Sequence, residues 1–216
     1  MFKGGRSRLK DVIFYLFLFV AVVTFAIAVT ILLTPLLEIN LSLNNIPEQV
    51  GLSIDRIMEN YYVLLEYLHF PWVTELAMPD FPTSPSGAFH FYEVKQLFLL
   101  NYGLLFVSLP FAIYYLVKLK QTNQVYELEK PALVAAILPL GLLVFLAINF
   151  DRLFLTFHEI LFDNDAWLFN PQTDPIINVL TQDFFMLCFA FAIVLIEALF
   201  ITGYVLARRD RLRQGV

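Results

Sequence analysis

The residues best suited to chemistry lie in segment 152–185, where ionisable and amide side chains interrupt two long apolar runs. An imidazole takes up and releases protons near neutral pH, so His158 in this segment points to general acid–base chemistry. The other polar or amphipathic residues of interest here are Arg152, Asn164, Asp165, Trp167, Thr173 and Asp174. A polar segment between two membrane-crossing runs is where we expect an active site.

The chain contains two further histidines, His69 and His90. His90 lies in the run HFYEVK (90–95), just before an apolar run, and this run also supplies Glu93 and Lys95. We expect His90 and His158 to lie at similar depth at the mouths of membrane spans, where the fold could bring them together. The alternative is that both only reach toward lipid headgroups. His69 has no comparable polar neighbours, and we expect it to be structural.

Four apolar runs predict the elements that position these residues: spans at about 12–37, 96–117, 131–149 and 186–207. Roughly 20 helical residues cross the hydrocarbon core. With 59% hydrophobic and 15% charged residues, the chain is expected to form one integral membrane domain, 1–216. The first run is too long for a signal peptide and lacks a small-residue cleavage pattern.

The distribution of basic residues predicts the orientation of the four spans. Eleven of the fourteen Lys and Arg residues lie in 1–11, 118–130 and 208–216. Because basic residues favour the cytoplasmic side, both termini should be inside. The segments 38–95 and 150–185, with all three histidines, should then lie outside.

The outer segments are expected to form a cap on an all-α membrane protein. Ser53 is suited to capping a helix that ends near Leu68, with apolar residues on one face. Prolines then break the chain into turns, with short strands between them as an alternative. They are Pro71, Pro79, Pro82 and Pro85.

Other kinds of site have little support. The start of a zinc motif, His158-Glu159, fails because Phe162 stands where its second histidine belongs. His90, His158 and Asp165 could form a His₂–carboxylate set, but no ligand spacing supports it. Serine nucleophile motifs, phosphate loops, basic nucleic-acid patches and Cys clusters are absent from the sequence. We therefore expect no metal, no cofactor and no nucleic-acid partner.

Several residues have both a functional and a structural interpretation. In a helix, His158, Phe162 and Asp165 would share one face, so Asp165 could orient the imidazole. Asp174 before Pro175 is typical of a helix N-cap, and Trp167 of an anchor at the membrane interface. Glu197, inside the fourth span, is expected to be protonated and hydrogen-bonded in a structural role.

Two runs carry a resemblance to a known family: GAFHFYEVKQLF (87–98) and FHEILFDNDAWLFNPQTDPIINVLTQDFF (157–185). They resemble the signature blocks of the bacterial lipoprotein intramolecular transacylases (Lit), four-span membrane proteins. The resemblance implies transfer of the sn-2 acyl chain of a lipoprotein's diacylglyceryl-cysteine to the α-amino group of that cysteine. His90 and His158 match the family's two key histidines, and the family often carries Asp at the position of Glu93.

Other polar residues of the outer segments complete the expected site around the two histidines. We expect the substrate to be bound or oriented by Glu93, Lys95, Arg152, Asn164, Asp165, Trp167, Thr173 and Asp174. The expected partners are a diacylglyceryl-modified lipoprotein and the phospholipid bilayer of a bacterial cell membrane. The main alternative function is a non-catalytic membrane scaffold or a lipid- or lipoprotein-binding protein. A transporter subunit and an intramembrane protease or metal-dependent hydrolase are weaker alternatives, and the oligomeric state is left open.

Overall fold

The structure, a computed structural model, describes residues 8–215, apart from the side chains at 8–9, 138, 142 and 144–147. Its α-helices are α1 (Arg8–Leu32), α2 (Pro35–Leu43), α3 (Ile46–Val50), α4 (Ile54–His69), α5 (Pro85–Gln121), α6 (Glu129–Ile148), α7 (Phe150–Leu161) and α8 (Gln182–Gln214). Short 3-10 helices occupy Val125–Leu128 and Pro175–Asn178. The all-helical prediction is confirmed. The alternative of short strands between the prolines is wrong, because residues 70–84 are irregular and the described residues contain no strand.

Three described helices are long and apolar enough to cross a membrane: Lys10–Leu32 of α1, α5 and α8. They correspond to the first, second and fourth predicted spans. The first is shorter than predicted, since the helix breaks after Leu32 and a new one starts at Pro35. The predicted third span coincides with α6, several of whose side chains lie outside the described residues, as do residues 1–7 of the basic N-terminal run.

By internal contacts the chain divides into two compact units, and the first comprises the described parts of Met1–Thr30, Asn101–Val144 and Phe191–Val216. Its core includes Tyr115, Leu119, Leu128 and Ala207. The Asn101 amide donates to the Thr24 carbonyl at 3.2 Å.

Glu197 is buried in the first unit, with 6% of its surface exposed. Neither of its carboxylate oxygens has a hydrogen-bond partner among the described residues. The expectation that Glu197 is hydrogen-bonded is therefore not met in the described part of the chain.

The second unit comprises Ile31–Leu100 and Phe145–Ala190 and contains all three histidines. Ser53 caps α4 as predicted, because its Oγ accepts a hydrogen bond from the Arg56 N–H. Asn60 and Arg56 on α4 both donate to the Asp80 carboxylate, and the Asp80 N–H donates to Asn60 at 2.8 Å. These hydrogen bonds lower the pKa of Asp80, and the one from Asn60 has the largest effect. They also attach the irregular, proline-rich segment 70–84 to α4.

Candidate active site

His90 lies in the second turn of α5 and is buried, with 6% of its surface exposed. The helix begins at Pro85, where the missing proline N–H has no cost. Ser84 is the N-cap residue, and its Oγ accepts a hydrogen bond from the Gly87 N–H at 3.0 Å. The helix that contains the second predicted span therefore starts at Pro85, eleven residues before residue 96. His90 lies within this helix and not in a loop that precedes it.

Asp174 completes the cap of α5 from a distant part of the chain. Its Oδ1 accepts a hydrogen bond from the Ser84 N–H at 2.7 Å, and Thr173 donates to its Oδ2 at 2.7 Å. In a capping box a Glu or Gln at the third helical position makes this contact. That position is Gly87 here, and a Cβ on it would lie 2.3 Å from Asp174 Oδ1.

The predicted role of Asp174 is therefore corrected in one respect. It precedes the 3-10 helix Pro175–Asn178, but its side chain makes no capping hydrogen bond there. The carboxylate caps α5 instead and brings the two sequence blocks of interest together. Asp174 is almost fully buried, with 2% exposed.

His158 lies in the last turn of α7. Its Nδ1 is 2.8 Å from the backbone carbonyl oxygen of Phe154. Because a carbonyl only accepts, Nδ1 must carry the hydrogen in this contact, and in the neutral ring Nε2 then has the free lone pair. His158 is therefore held in the tautomer that acts as a base through Nε2.

The two imidazoles lie close together among aromatic rings. The ring centroids of His90 and His158 are 5.9 Å apart. Phe162 lies 4.7 Å from His90 and 5.6 Å from His158. Trp167 lies 4.8 Å from His158, and Phe169 lies 5.5 Å from His90. Both imidazoles are therefore enclosed by aromatic side chains.

Burial sets the charge state of His158. It lowers the pKa of this imidazole, and the hydrogen bond to Phe154 opposes that effect without cancelling it. The neutral ring is therefore favoured at pH values where an exposed histidine would already be protonated.

Glu93 is the carboxylate beside His90. The two residues are one turn apart on α5, and Glu93 Oε2 is 3.9 Å from His90 Nδ1. The other oxygen, Oε1, accepts a hydrogen bond from the Asn164 side chain at 2.8 Å. Asn164 is itself fixed by the Ala166 N–H, which donates to its Oδ1 at 2.9 Å. The expected orienting positions Glu93 and Asn164 thus form a chain that ends beside His90.

Lys95 and Arg152, the two cations expected to bind or orient the substrate, have no contact with either imidazole among the contacts described. Lys95 is buried; its ammonium donates to the Val73 carbonyl and lies 4.4 Å from the centroid of the Tyr67 ring. The first contact attaches the proline-rich segment to α5, and the second joins α5 to α4. Arg152 is exposed in the first turn of α7, where its N–H donates to Asn149.

The helical face predicted for His158, Phe162 and Asp165 does not form. Helix α7 ends at Leu161, and Phe162 has an extended backbone. Asp165 is exposed, and its carbonyl accepts a hydrogen bond from the Leu168 N–H in a turn. The orienting role predicted for Asp165 belongs instead to the Phe154 carbonyl, which accepts the hydrogen bond from His158 Nδ1.

Three contributors to the site have weak sequence signals. Gly87 gives room for a carboxylate 87 residues away in sequence, and no local pattern reports such an approach. Phe154 contributes a backbone carbonyl, which every residue type has. Phe169 is one of 23 phenylalanines in the chain. The signal that could have located the start of α5 is local: Ser84 followed by Pro85.

One cleft of the second unit is lined by residues other than the histidines. This cleft, of about 600 Å³, is lined by Gln49, Val50, Leu52, Asp80, Phe81, Pro175 and Asn178. Among the described residues no group of three His, Cys, Asp or Glu side chains could hold a metal ion. The chemistry of the site is that of two imidazoles, a carboxylate and an amide.

Comparison with a family model gives a match to "Lipoprotein intramolecular transacylase Lit" over residues 12–185. That range contains both histidines and every other residue of the site. The comparison with curated protein sequences gives no match.

The chain is also similar to solved structures of the membrane-integral lipoprotein intramolecular transacylase Lit of Bacillus cereus. For one, the TM-score is 0.89 at 27% identity, covering 96% of each chain. A form with a histidine-to-arginine mutation has a TM-score of 0.80 at 27% identity, covering 96% of this chain and 92% of that one. A histidine-to-alanine form has a TM-score of 0.80 at 27% identity, with 96% and 94% covered.

Proposed function

Since this multi-pass membrane protein belongs to the lipoprotein intramolecular transacylase family and is thus an acyltransferase, we propose that it converts diacylglyceryl lipoproteins to the lyso form. The sn-2 acyl chain moves to the α-amino group of the lipoprotein's N-terminal cysteine. The observation that carries this proposal is the pair of imidazoles, 5.9 Å apart between ring centroids, among aromatic side chains.

The proposed reaction forms one amide and breaks one ester. The amine lone pair attacks the sn-2 ester carbonyl, and a tetrahedral intermediate forms. Its collapse breaks the bond between the acyl carbon and the glycerol oxygen. The acyl carbon keeps its oxidation state, and no acyl donor besides the lipoprotein is needed. Since donor and acceptor belong to one molecule, holding them in a compact conformation supplies much of the acceleration.

Proton transfer gives both histidines a role. An α-amino group has a pKa of ~8, so near pH 7 it is mainly an ammonium with three hydrogens. The product amide keeps one of them, and two therefore leave the nitrogen. Since the departing glycerol oxygen gains one proton, the reaction releases one proton to solvent overall, with one imidazole acting at the nitrogen and the other at the oxygen.

We propose that the site faces outward at the bacterial cell membrane. The distribution of lysines and arginines supports cytoplasmic termini and four spans, with α6 as the third. Lipoprotein headgroups at the outer leaflet would then meet α7 and the start of α5. The single integral membrane domain, 1–216, remains part of this proposal.

Mass spectrometry of a diacylglyceryl lipopeptide tests the function. The wild type should leave the total mass unchanged while fragmentation shows an acyl group moved onto the α-amine. His90→Ala and His158→Ala should each slow conversion about 10²- to 10⁴-fold, the usual size of acid–base contributions.

His69→Ala is the matched control, because it removes the third imidazole without touching the pair. Its rate should stay within about twofold of the wild type. If purified wild type moves no acyl chain, a lipoprotein-binding or scaffold function is favoured. If both site variants keep full activity, the chemistry does not occur at these rings.

A further inference from the structure

The Nδ1 atoms of His90 and His158 face different chemical groups. His158 Nδ1 faces the neutral carbonyl of Phe154, whereas His90 Nδ1 faces the carboxylate of Glu93. A carboxylate favours a positive charge on a nearby imidazole far more than a carbonyl does. The two identical rings therefore have different groups beside Nδ1, and closing the distance to Glu93 would favour a positive charge on His90.

His90 and Glu93 face each other, but no hydrogen bond joins them in this structure. His90 Nδ1 and Glu93 Oε2 are both buried, and neither has a hydrogen-bond partner within the described part of the chain. Their separation of 3.9 Å is longer than a hydrogen bond. Catalytic hydrogen bonds are often long in the substrate-free protein and shorten once substrate binds. Two buried polar atoms that face each other unpaired would gain by closing this distance.

Asn164 gives the carboxylate a fixed direction. It binds Oε1 of Glu93 at 2.8 Å, which leaves Oε2 directed toward His90. Asn164 is held by the Ala166 N–H and lies in the turn between His158 and Trp167. The polypeptide that carries His158 therefore also sets the position of the carboxylate beside His90.

Building on the proposed function, we propose that Glu93 is a positioning residue that makes His90 the general acid of the reaction. Glu93 accepts the Nδ1 hydrogen of His90 and stabilises the imidazolium that His90 forms by taking a proton from solvent. Nε2 of that imidazolium then gives its proton to the departing glycerol oxygen. His158, through its free Nε2, takes the two departing protons from the nitrogen in turn and releases each to solvent.

Leaving-group chemistry tests this assignment. An alkoxide needs a proton as it departs, whereas a thiolate, with a thiol pKa near 8.5, departs without one. The probes are two diacylglyceryl lipopeptides, one with the natural sn-2 oxygen ester and one with an sn-2 thioester. Rates are taken by mass spectrometry after subtraction of the reaction without protein.

We expect Glu93→Gln to lower kcat roughly tenfold to a hundredfold with the oxygen ester and less than about threefold with the thioester. KM should change little with either probe. Glu93→Asp keeps the carboxylate and should restore part of the loss. His158→Ala should be slow with both probes.

Glu159→Gln is the matched control, since it neutralises an exposed carboxylate next to His158 and should leave both rates unchanged. A merely structural role for Glu93 would slow both probes equally, and that result overturns the inference. So does a Glu93→Gln rate equal to that of the wild type. Failure of the wild type to convert the oxygen ester would instead overturn the proposed function.

A second test does not need the Glu93→Gln variant and so stands even if that variant fails to fold. With three histidines in the chain, ¹⁵N NMR can resolve each imidazole. His90 should have its hydrogen on Nδ1, and Asn164→Ala should weaken that preference. A His90 ring with its hydrogen on Nε2 in the wild type overturns the inference.

Discussion

At the scale of single residues, the site depends on what each imidazole touches with its Nδ1. The sequence brought attention to His90 and His158 because few other side chains in the outer segments exchange protons near pH 7. It could not distinguish the two rings, since the difference comes from the Phe154 carbonyl and the Glu93 carboxylate. Their catalytic roles stay predictions that the variants above test.

The lowered pKa of His158 predicts a pH dependence. The folded protein favours the neutral ring, so the base remains available below pH 6.5, and activity is lost only as pH falls through the lowered pKa. In a profile of kcat/KM against pH, the acidic limb should therefore have its midpoint below 6.5. A midpoint at or above 6.5 would mean that burial does not set the protonation of the base.

At the scale of elements, the start of α5 joins two parts of the chain. Apolar length predicted the membrane helices, because a bilayer demands a minimum run of hydrophobic residues. It did not predict that α5 extends back to Pro85, since those turns are stabilised by Ser84 and by Asp174 and not by hydrophobic periodicity. Likewise, α7 ends at Leu161, although the amino-acid pattern allowed it to continue.

Gly87→Ala tests the close approach at this cap. Alanine in a helix normally gains about 0.5–1 kcal/mol over glycine. Here its Cβ would lie 2.3 Å from Asp174 Oδ1, and such overpacking costs about 1–3 kcal/mol. The cost of the clash should exceed the gain in helix propensity. We therefore expect a lower thermal midpoint of unfolding in detergent and a loss of lipopeptide conversion.

Gly103→Ala is the matched control for that experiment. Apart from the nearby backbone of its own helix, a Cβ at this position meets no atom of the described residues within 4 Å. The substitution should leave the thermal midpoint unchanged or raise it slightly. If Gly87→Ala behaves in the same way, the carboxylate of Asp174 is not held as closely as the structure indicates.

At the scale of the whole molecule, the predictions differ in outcome. The family and the all-helical architecture are confirmed by the match over residues 12–185 and by the described helices. Both could be recognised because motif residues and apolar runs are properties of the sequence itself. The orientation of the chain stays a prediction, since it depends on a charge distribution that acts during membrane insertion.

Labelling with an impermeant maleimide in intact cells tests that orientation. Cys188 is the single cysteine and can first be replaced by serine. In that background, Gln172→Cys should react from outside, whereas Thr122→Cys should react only after permeabilisation. Both positions are exposed, so accessibility within the protein is matched. The reverse pattern would put both histidines on the cytoplasmic side.

The cap contact between Ser84 and Asp174 spans ninety residues of chain. A ribosome adds about 5–20 residues per second, so several seconds separate the synthesis of these two partners. During that interval the start of α5 lacks the Asp174 carboxylate that completes its cap. The two imidazoles can therefore be fixed in place only after most of the chain has been synthesised.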